Sequence, residues 1–306
     1  MEKLDNILVC LDLTEMDDFL IRYANYLVEK TEPKKVWFLH IIQPFDLPHE
    51  VLSEFPDLDQ PVSKFIREEM KERVDELFEH KQSRQYEIEV LEGIKLDSLL
   101  EFTRDQKIKL TVMGKKVGFE GTGAFPRRIR PLTTSSVIMV SETAKPQINN
   151  ILVRMDFSKM SELAMKSAIE LSRKTGSGIF AVNAFRLPIS HFPKYSNEDA
   201  RRLQAKMVRH GEKEYEKFMR KIKQDPAAIP CVHVYDKEFD EARVLYHQGL
   251  TRQADLIMIG SRVKSELASI ILDRTTEDLG DVEKNIPVMI VKDRKQTLGF
   301  VKALFD

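Results

Sequence analysis

The nine residues NILVCLDLT at positions 6–14 decide the fold, because nearly the same string, NILVRMDFS, returns at positions 150–158. Each string is an apolar run followed by an aspartate and a hydroxyl residue. Two more pairs follow in the same order: LTVMG at 110–114 matches LIMIG at 256–260, and VIMV ending at 140 matches VMIV ending at 291. Three matches in one order indicate a tandem duplication.

Within each repeat, short apolar runs alternate with longer amphipathic stretches. The runs span 7–11, 36–41, 86–91, 108–113 and 136–140 in the first repeat, and 151–155, 178–184, 231–235, 255–259 and 288–291 in the second. The stretches between them predict helices near 15–31, 62–82, 95–106, 126–133, 160–175, 197–224, 239–253 and 272–284. Continuous apolar strands separated by helices are typical of parallel sheets covered on both faces. The pattern therefore predicts an α/β fold of two tandem five-stranded parallel-sheet sandwiches, Rossmann-like in type.

The segments outside the strands and helices set the expected boundaries. Residues 141–147, SETAKPQ, are polar and contain a proline, which is typical of a linker. We expect repeat 1 at residues 1–140, repeat 2 at 148–292 and a hydrophobic tail at 293–306, which either docks on its own domains or contacts a partner. Thr14 and Ser158 follow the first strands and are the expected N-caps of the next helices.

Composition narrows the classes of partner. The 306 residues carry 48 Lys and Arg against 49 Asp and Glu, a net charge of -1. This balance argues against nucleic acid, although it leaves room for local basic patches. No apolar run approaches the roughly 20 residues of a membrane span, and the first residues lack a signal-peptide pattern. Cys10 and Cys231 lie far apart in apolar runs, as buried thiols of a reducing compartment do. We therefore expect a cytoplasmic protein.

Chemistry in such a sheet is expected at the carboxyl ends of the strands, where the strand order switches. Asp12 and Asp156 end the first strands, where a carboxylate either accepts hydrogen bonds from a ligand or braces the next helix. Gly114 and Gly260 end the fourth strands, where a glycine permits either close approach to a ligand or a tight turn.

The V-x-x-D pattern ending at Asp12 and Asp156, with the apolar strands ending in Met-Gly and Ile-Gly-Ser, resembles the universal stress protein family in its two-copy form. The resemblance implies ATP binding through the first-strand aspartate and a motif G-x2-G-x9-G-[S/T], in which backbone amides hold the phosphates. It also implies dimers formed through last strands, which a tandem chain reproduces internally as a pseudo-dimer.

The second repeat departs from that motif. Gly260 and Ser261 are present, but Val263 replaces the second glycine, and Asp273 with Arg274 replaces the final Gly-Ser or Gly-Thr. A carboxylate at a helix N-terminus repels a phosphate. The sequence therefore predicts that Asp156, Gly260 and Ser261 are the remains of a nucleotide site that no longer binds its ligand.

The first repeat departs differently, since its loop is short, rich in glycine and basic. One interpretation is a divergent anion or nucleotide site. Its residues would be Asp12, Gly114, Lys115, Gly118, Gly121, Thr122 and Gly123. The other is a solvated surface loop. For the cofactor, two alternatives follow. The chain binds none, or it binds ATP or another adenine nucleotide.

No P-loop, nucleophile motif or metal-ligand spacing occurs, so we expect no catalytic residue and no metal ligand. The leading hypothesis is a stress-response regulatory or interaction protein without strong catalysis. The alternatives are an ATP-binding stress protein with slow ATPase activity and a metabolic enzyme. Expected partners are another protein, or a second copy in a homodimer joined through last strands or the tail.

Overall fold

The computed structural model describes residues 4–42, 62–115, 135–187, 196–261 and 286–293. These residues form two compact units, which divide between Pro146 and Gln147. Among the helices of the described residues, none combines the length and the hydropathy that a bilayer-spanning segment requires.

The first unit is a parallel sheet with helical crossovers. Its elements are β1 (Asn6–Cys10), α1 (Met16–Thr31), β2 (Lys35–Ile42), α2 (Val62–Leu77), β3 (Gln85–Glu92), α3 (Lys95–Asp105), β4 (Leu110–Lys115) and β5 (Ser136–Ser141). The strands lie in the order β3-β2-β1-β4-β5, and each neighbouring pair is parallel.

The second unit repeats this arrangement. Its elements are β6 (Asn150–Arg154), α4 (Lys159–Thr175), β7 (Gly178–Phe185), α5 (Asn197–Lys221), β8 (Cys231–Tyr235), α6 (Glu241–Thr251), β9 (Leu256–Ser261) and β10 (Val288–Lys292). The order within the unit is β8-β7-β6-β9-β10, again with parallel neighbours. The predicted α/β fold with five parallel strands in each repeat is confirmed.

Alternation along β2 places helices on both faces of the first sheet. Successive strand residues point to opposite faces. The ring of Trp37 contacts Phe102 of α3 with centroids 5.1 Å apart, whereas the ring of the next residue, Phe38, contacts Phe78 just after α2 at 5.2 Å. Both strand residues are buried. Helices α2 and α3 therefore cover opposite faces.

Most predicted helix ends lie within a few residues of the observed ones, but α2 is shorter than expected and ends at Leu77 instead of 82. The cause is Asn25 of α1, a buried residue. Its amide donates to the Leu77 carbonyl (2.8 Å), and its side-chain oxygen accepts from the Glu79 amide (3.1 Å). This clasp satisfies backbone groups that a helix end leaves unpaired. The helices expected near 126–133 and 272–284 lie outside the described residues.

The two expected N-caps had different outcomes. Ser158 caps α4, and its hydroxyl accepts from the amides of Met160 and Ser161. The expectation for Thr14 was wrong, because the N-cap of α1 is Glu15, which makes no side-chain capping bond. Thr14 instead accepts the Met16 amide at 3.3 Å from just outside the helix. A side chain of the helix itself, Asp17, bonds the loop that precedes α1.

Candidate functional site

The strand order of each unit reverses between its first and fourth strands. In the first unit the reversal lies between β1 and β4, and in the second between β6 and β9. The carboxyl ends of such strands form the crevice where open α/β sheets bind ligands. Asp12 and Asp156 each lie two residues beyond the first strand of their unit, at this crevice. The residue after each, Leu13 and Phe157, has a left-handed backbone with φ of 63° and 61°.

Asp17 fixes the loop that carries Asp12. Its carboxylate oxygens accept the backbone amides of Asp12 and Leu13, each at 2.9 Å. The Arg73 guanidinium lies 3.8 Å from the same carboxylate, and Arg73 also donates to Asp18 at 2.7 Å. Asp17 is fully buried, whereas Asp12 is exposed. Asp17 therefore holds the strained turn while Asp12 points outward.

Burial raises the pKa of Asp17 to about 6. Hydrogen bonds from the Asp12 and Leu13 amides favour its charged form, and the neighbouring Asp12 charge opposes it. Arg73 lowers the pKa by a smaller amount. The carboxyl group therefore titrates much closer to neutrality than an exposed aspartate does.

The backbone at the end of each first strand is held by a polar residue of the second strand. In the first unit, His40 donates from Nδ1 to the Leu11 carbonyl at 2.9 Å. In the second unit, Asn183 donates to the Met155 carbonyl at 2.8 Å, and its oxygen accepts from Nδ1 of His233 at 3.0 Å. His40 thus has the structural role that its place in an apolar strand suggests.

The second unit differs from the first at the last residue of its first strand, where Arg154 replaces Cys10. Arg154 donates from Nε and Nη2 to the two carboxylate oxygens of Glu241, at 2.6 and 3.2 Å. Its Nη1 donates to Asp156 at 2.6 Å. The other carboxylate oxygen of Asp156 accepts the Ser158 amide at 3.0 Å. Each oxygen of Asp156 is therefore bonded within the protein.

This network keeps Asp156 charged. Burial by itself would raise the pKa of Asp156, but the Arg154 charge and the bonds from Ser158 outweigh it and hold the pKa below its ordinary value. Burial also opposes the charge of Arg154, yet Glu241 and Asp156 hold the Arg154 pKa above its usual range. Arg154 lies between two carboxylates, with only 17% of its side chain exposed. The Arg154–Glu241 pair is largely desolvated, with 17% of each side chain exposed, so removing either partner leaves an uncompensated charge.

The glycines that end the fourth strands have an internal role. A Cβ atom at Gly260 would lie 1.9 Å from the carbonyl oxygen of Met160, in the first turn of α4. At Gly114 it would lie 2.8 Å from Cγ of the Met16 side chain. In both units the helix after the first strand thus lies directly on this glycine. Close approach within the protein explains the residue type, whether or not a ligand binds.

The remaining predicted site residues are only partly described. Lys115 and Ser261 are the last residues of β4 and β9, and Ser261 is buried. Gly118, Gly121, Thr122 and Gly123 lie outside the described residues, as do Val263, Asp273 and Arg274. The described residues contain no group of three or more side chains suited to hold a metal ion.

Sequence reasoning missed three residues near the carboxyl ends of the strands: Asp17, Arg154 and Glu241. The signal for Arg154 was present, since aligning the two repeats sets it against Cys10. Its partner Glu241 is 87 residues away in sequence, at the start of α6. Only the fold brings that pair together.

A family model described as the universal stress protein family matches residues 147–292. The second repeat is therefore similar to this family over its whole length. A universal stress protein from Archaeoglobus fulgidus DSM 4304 is similar over 95% of this chain and 97% of its own, with a TM-score of 0.61 at 14% identity. A functionally unknown protein from Pseudomonas aeruginosa PAO1 is similar over 98% and 96%, with a TM-score of 0.61 at 12% identity. At these identities the likeness concerns the fold, which extends across both repeats. Comparison with curated protein sequences gave no match.

We predict that Gly260→Ala and Gly114→Ala differ sharply in stability. At Gly260 the new methyl meets backbone, which cannot rotate away, so we expect a loss of about 3 kcal/mol or more. At Gly114 it meets a methionine side chain that has other rotamers, so we expect a loss of about 1 kcal/mol. Differential scanning calorimetry of the two variants measures both effects. Equal losses would contradict the backbone contact described for Gly260.

We also predict a pH dependence that Asp17 contributes to repeat 1. Its pKa is higher in the folded state than in the unfolded chain, so its contribution to stability is full below about pH 4 and is lost as the pH rises through about 6. The free energy of unfolding of the wild type, relative to Asp17→Asn, should therefore be greater at pH 4 than at pH 7, by about 1–3 kcal/mol.

The measurement is urea unfolding followed by fluorescence of Trp37, the one tryptophan of the chain, which lies in β2 of the same repeat. Glu15→Gln is the matched control, because Glu15 is exposed in the same loop and makes no side-chain capping bond. A difference between wild type and Asp17→Asn that does not change with pH, or that grows as the pH rises, would show that Asp17 has no raised pKa.

Proposed function

We propose that the protein is a stress-response regulatory and interaction protein of the universal stress protein type, without strong catalysis, whose second repeat has lost its nucleotide site. The observation that carries the proposal is the network of Arg154 with Asp156 and Glu241. The family's aspartate is the group that would meet a nucleotide, and in repeat 2 it is already bonded through both oxygens.

Chemistry at that position supports the same conclusion. A ligand that needs hydrogen bonds from Asp156 must first displace an arginine that is bonded to two carboxylates. Breaking that bond is costly, because it leaves Arg154, of whose side chain only 17% is exposed, with one carboxylate partner in place of two. The phosphate-binding motif of repeat 2 also departs from the family pattern, at Val263, Asp273 and Arg274. Loss of nucleotide binding would leave a binding platform rather than an ATPase.

A second candidate is an ATP-binding protein whose divergent nucleotide site lies in repeat 1. The observation that favours it is the residue that ends the first strand, because repeat 1 has the uncharged Cys10 where repeat 2 has Arg154 bonded to Asp156. Lys115 follows Gly114 at the end of the neighbouring strand β4. An anion at the carboxyl ends of these strands would lie near Lys115, whose counterpart in repeat 2 is Ser261, and slow ATPase activity would belong to this repeat.

A cytoplasmic location is part of the proposal. Both cysteines are free, and burial raises the pKa of each thiol to about 12. Such thiols stay protonated and unreactive, which suits a reducing compartment.

The test is thermal unfolding of the purified chain with and without ATP and magnesium. A site whose Kd lies a hundredfold below the ATP concentration would stabilise its repeat by about 2.7 kcal/mol. We expect no rise in either unfolding midpoint, and no release of phosphate above the buffer rate. The paired variants Asp12→Asn and Asp156→Asn separate the alternatives.

If ATP stabilises the wild type and only Asp12→Asn removes the effect, the second candidate is correct and repeat 1 holds the nucleotide. If Asp156→Asn removes it, the conclusion about repeat 2 is wrong. Rapid release of phosphate from ATP by the wild type would show that the protein is an active ATPase, and the proposal of a protein without strong catalysis would then be wrong.

A further inference from the structure

Helices α2 and α5 occupy the same place in the two repeats, since each follows the second strand and precedes the third. Each buries one face on its own unit. On α2 that face includes Met70 and Val74, and on α5 it includes Gly211, Tyr215 and Phe218. The opposite face of each helix is exposed, and the two exposed faces carry opposite charge.

The exposed face of α2 is acidic. It carries Glu68, Glu69, Glu72 and Glu76, all of them exposed and spaced so that they share one side of the helix. We call these four residues the acidic face. Within the described ranges, none of the four makes a hydrogen bond or an ion pair.

Three of the four cations of α2 pair away from the acidic face, and the fourth, Lys64, lies in the first turn, four residues before Glu68. Arg67 bonds Glu89 of β3 at 2.8 Å, Arg73 bonds Asp18 of α1 at 2.7 Å, and Lys71 bonds Asp75. In the described residues the acidic face therefore forms no ion pair with its own helix, and its four carboxylates outnumber the one cation, Lys64, left beside it.

The exposed face of α5 is basic. Arg202, Lys206, Arg209 and Lys213 recur at intervals of four, three and four residues, which aligns them on one side of the helix. We call these four residues the basic face. All are exposed, and no ion pair or hydrogen bond of theirs occurs in the part of the chain that the structure describes. The cations of the last turns differ, because Lys217, Arg220 and Lys221 pair with Glu214, Glu216 and Glu162.

We propose that the acidic face of α2 in one copy of the chain docks on the basic face of α5 in a second copy. Both faces carry four charges, and at 1.5 Å per residue they extend about 12 Å and about 16 Å. A single chain thus carries both halves of a complementary contact, and its net charge of -1 conceals them.

A membrane surface fits the basic face less well. A helix that lies on a bilayer inserts an apolar face beside its cations. The buried apolar residues of α5, such as Tyr215 and Phe218, instead pack on their own repeat. A second copy of the chain offers exposed charges of the opposite sign, and α5 can meet them while it stays packed on its own repeat.

The proposed contact joins different surfaces of the two copies, so it is heterologous, and each added copy leaves a free face at both ends. Exposed charges attract weakly and are screened by salt, with a Debye length of about 30 Å at 0.01 M and about 3 Å at 1 M. Association should therefore be reversible and should depend on salt and concentration. It is separate from the proposed function, which holds or fails without it.

Sedimentation velocity of the full chain at these two salt concentrations tests the contact. We expect the weight-average sedimentation coefficient at low salt to rise with protein concentration, and to fall at high salt to a value that no longer depends on concentration. An unchanged coefficient in both salts, or association that survives high salt, would overturn the proposal.

Two charge-reversed variants locate the contact. One carries Glu at positions 202, 206, 209 and 213, and the other carries Lys at positions 68, 69, 72 and 76. Each alone should lose the salt-sensitive association, whereas an equimolar mixture of the two should regain it, because opposite charges then face each other again. A set of Gln substitutions at the four acidic positions gives the same loss without reversal, should the Lys variant fail to fold.

The matched control reverses four exposed cations away from both faces to Glu, and so changes the net charge by the same amount. These residues are Lys34, Lys145, Arg173 and Lys237. Equal loss in the control would mean that net charge, and not the two faces, drives association. Vesicles of anionic lipid supply the remaining comparison. Binding to them through the basic face, by a protein that does not self-associate at low salt, would show that the partner is a lipid surface and that the proposal is wrong.

Discussion

The helix after the first strand of each repeat lies against the fourth strand. The other groups at the carboxyl ends of these strands are arranged around that contact. In repeat 2 it is a contact of backbone on backbone, with the carbonyl of Met160 over Gly260. Such an approach leaves no space for a side chain at the end of the fourth strand. Between the first strand and this helix the chain turns sharply, and Leu13 and Phe157 adopt left-handed backbone there. The fold alone therefore requires a glycine at 260, whereas at 114 the neighbour is a methionine side chain that has other rotamers.

The two repeats stabilise this shared backbone with different polar groups. Repeat 1 uses a buried carboxylate, Asp17, which holds the turn from inside and leaves Asp12 facing outward. Repeat 2 caps its helix with Ser158 and uses Arg154 to tie Asp156 to Glu241. Both aspartates are exposed, but only in repeat 2 does the residue that ends the first strand bond to the aspartate. The second copy thus has an internal cation at a position where the first copy has a thiol.

The fold was predictable from the sequence because its signals are local. The continuous apolar runs, such as 151–155, and the repeat of NILV specify parallel strands and their duplication without any long-range information. The place of Asp12 and Asp156 at the sheet edge followed from the same pattern. The pairing of Arg154 with Glu241 did not, because those residues meet only after β6 and α6 are placed side by side. The early end of α2 depends in the same way on Asn25 of another helix.

If Arg154 forms an ion pair with Asp156, the pKa of Asp156 must depend on Arg154. That pKa can be followed by NMR of the carboxyl carbon in aspartate-labelled wild type and in Arg154→Cys, which restores the residue type of repeat 1. The account predicts a pKa below the ordinary value of about 3.9 in the wild type. In the variant it should rise above the wild-type value, because burial then acts without the opposing charge. A pKa that is the same in both proteins would contradict the account.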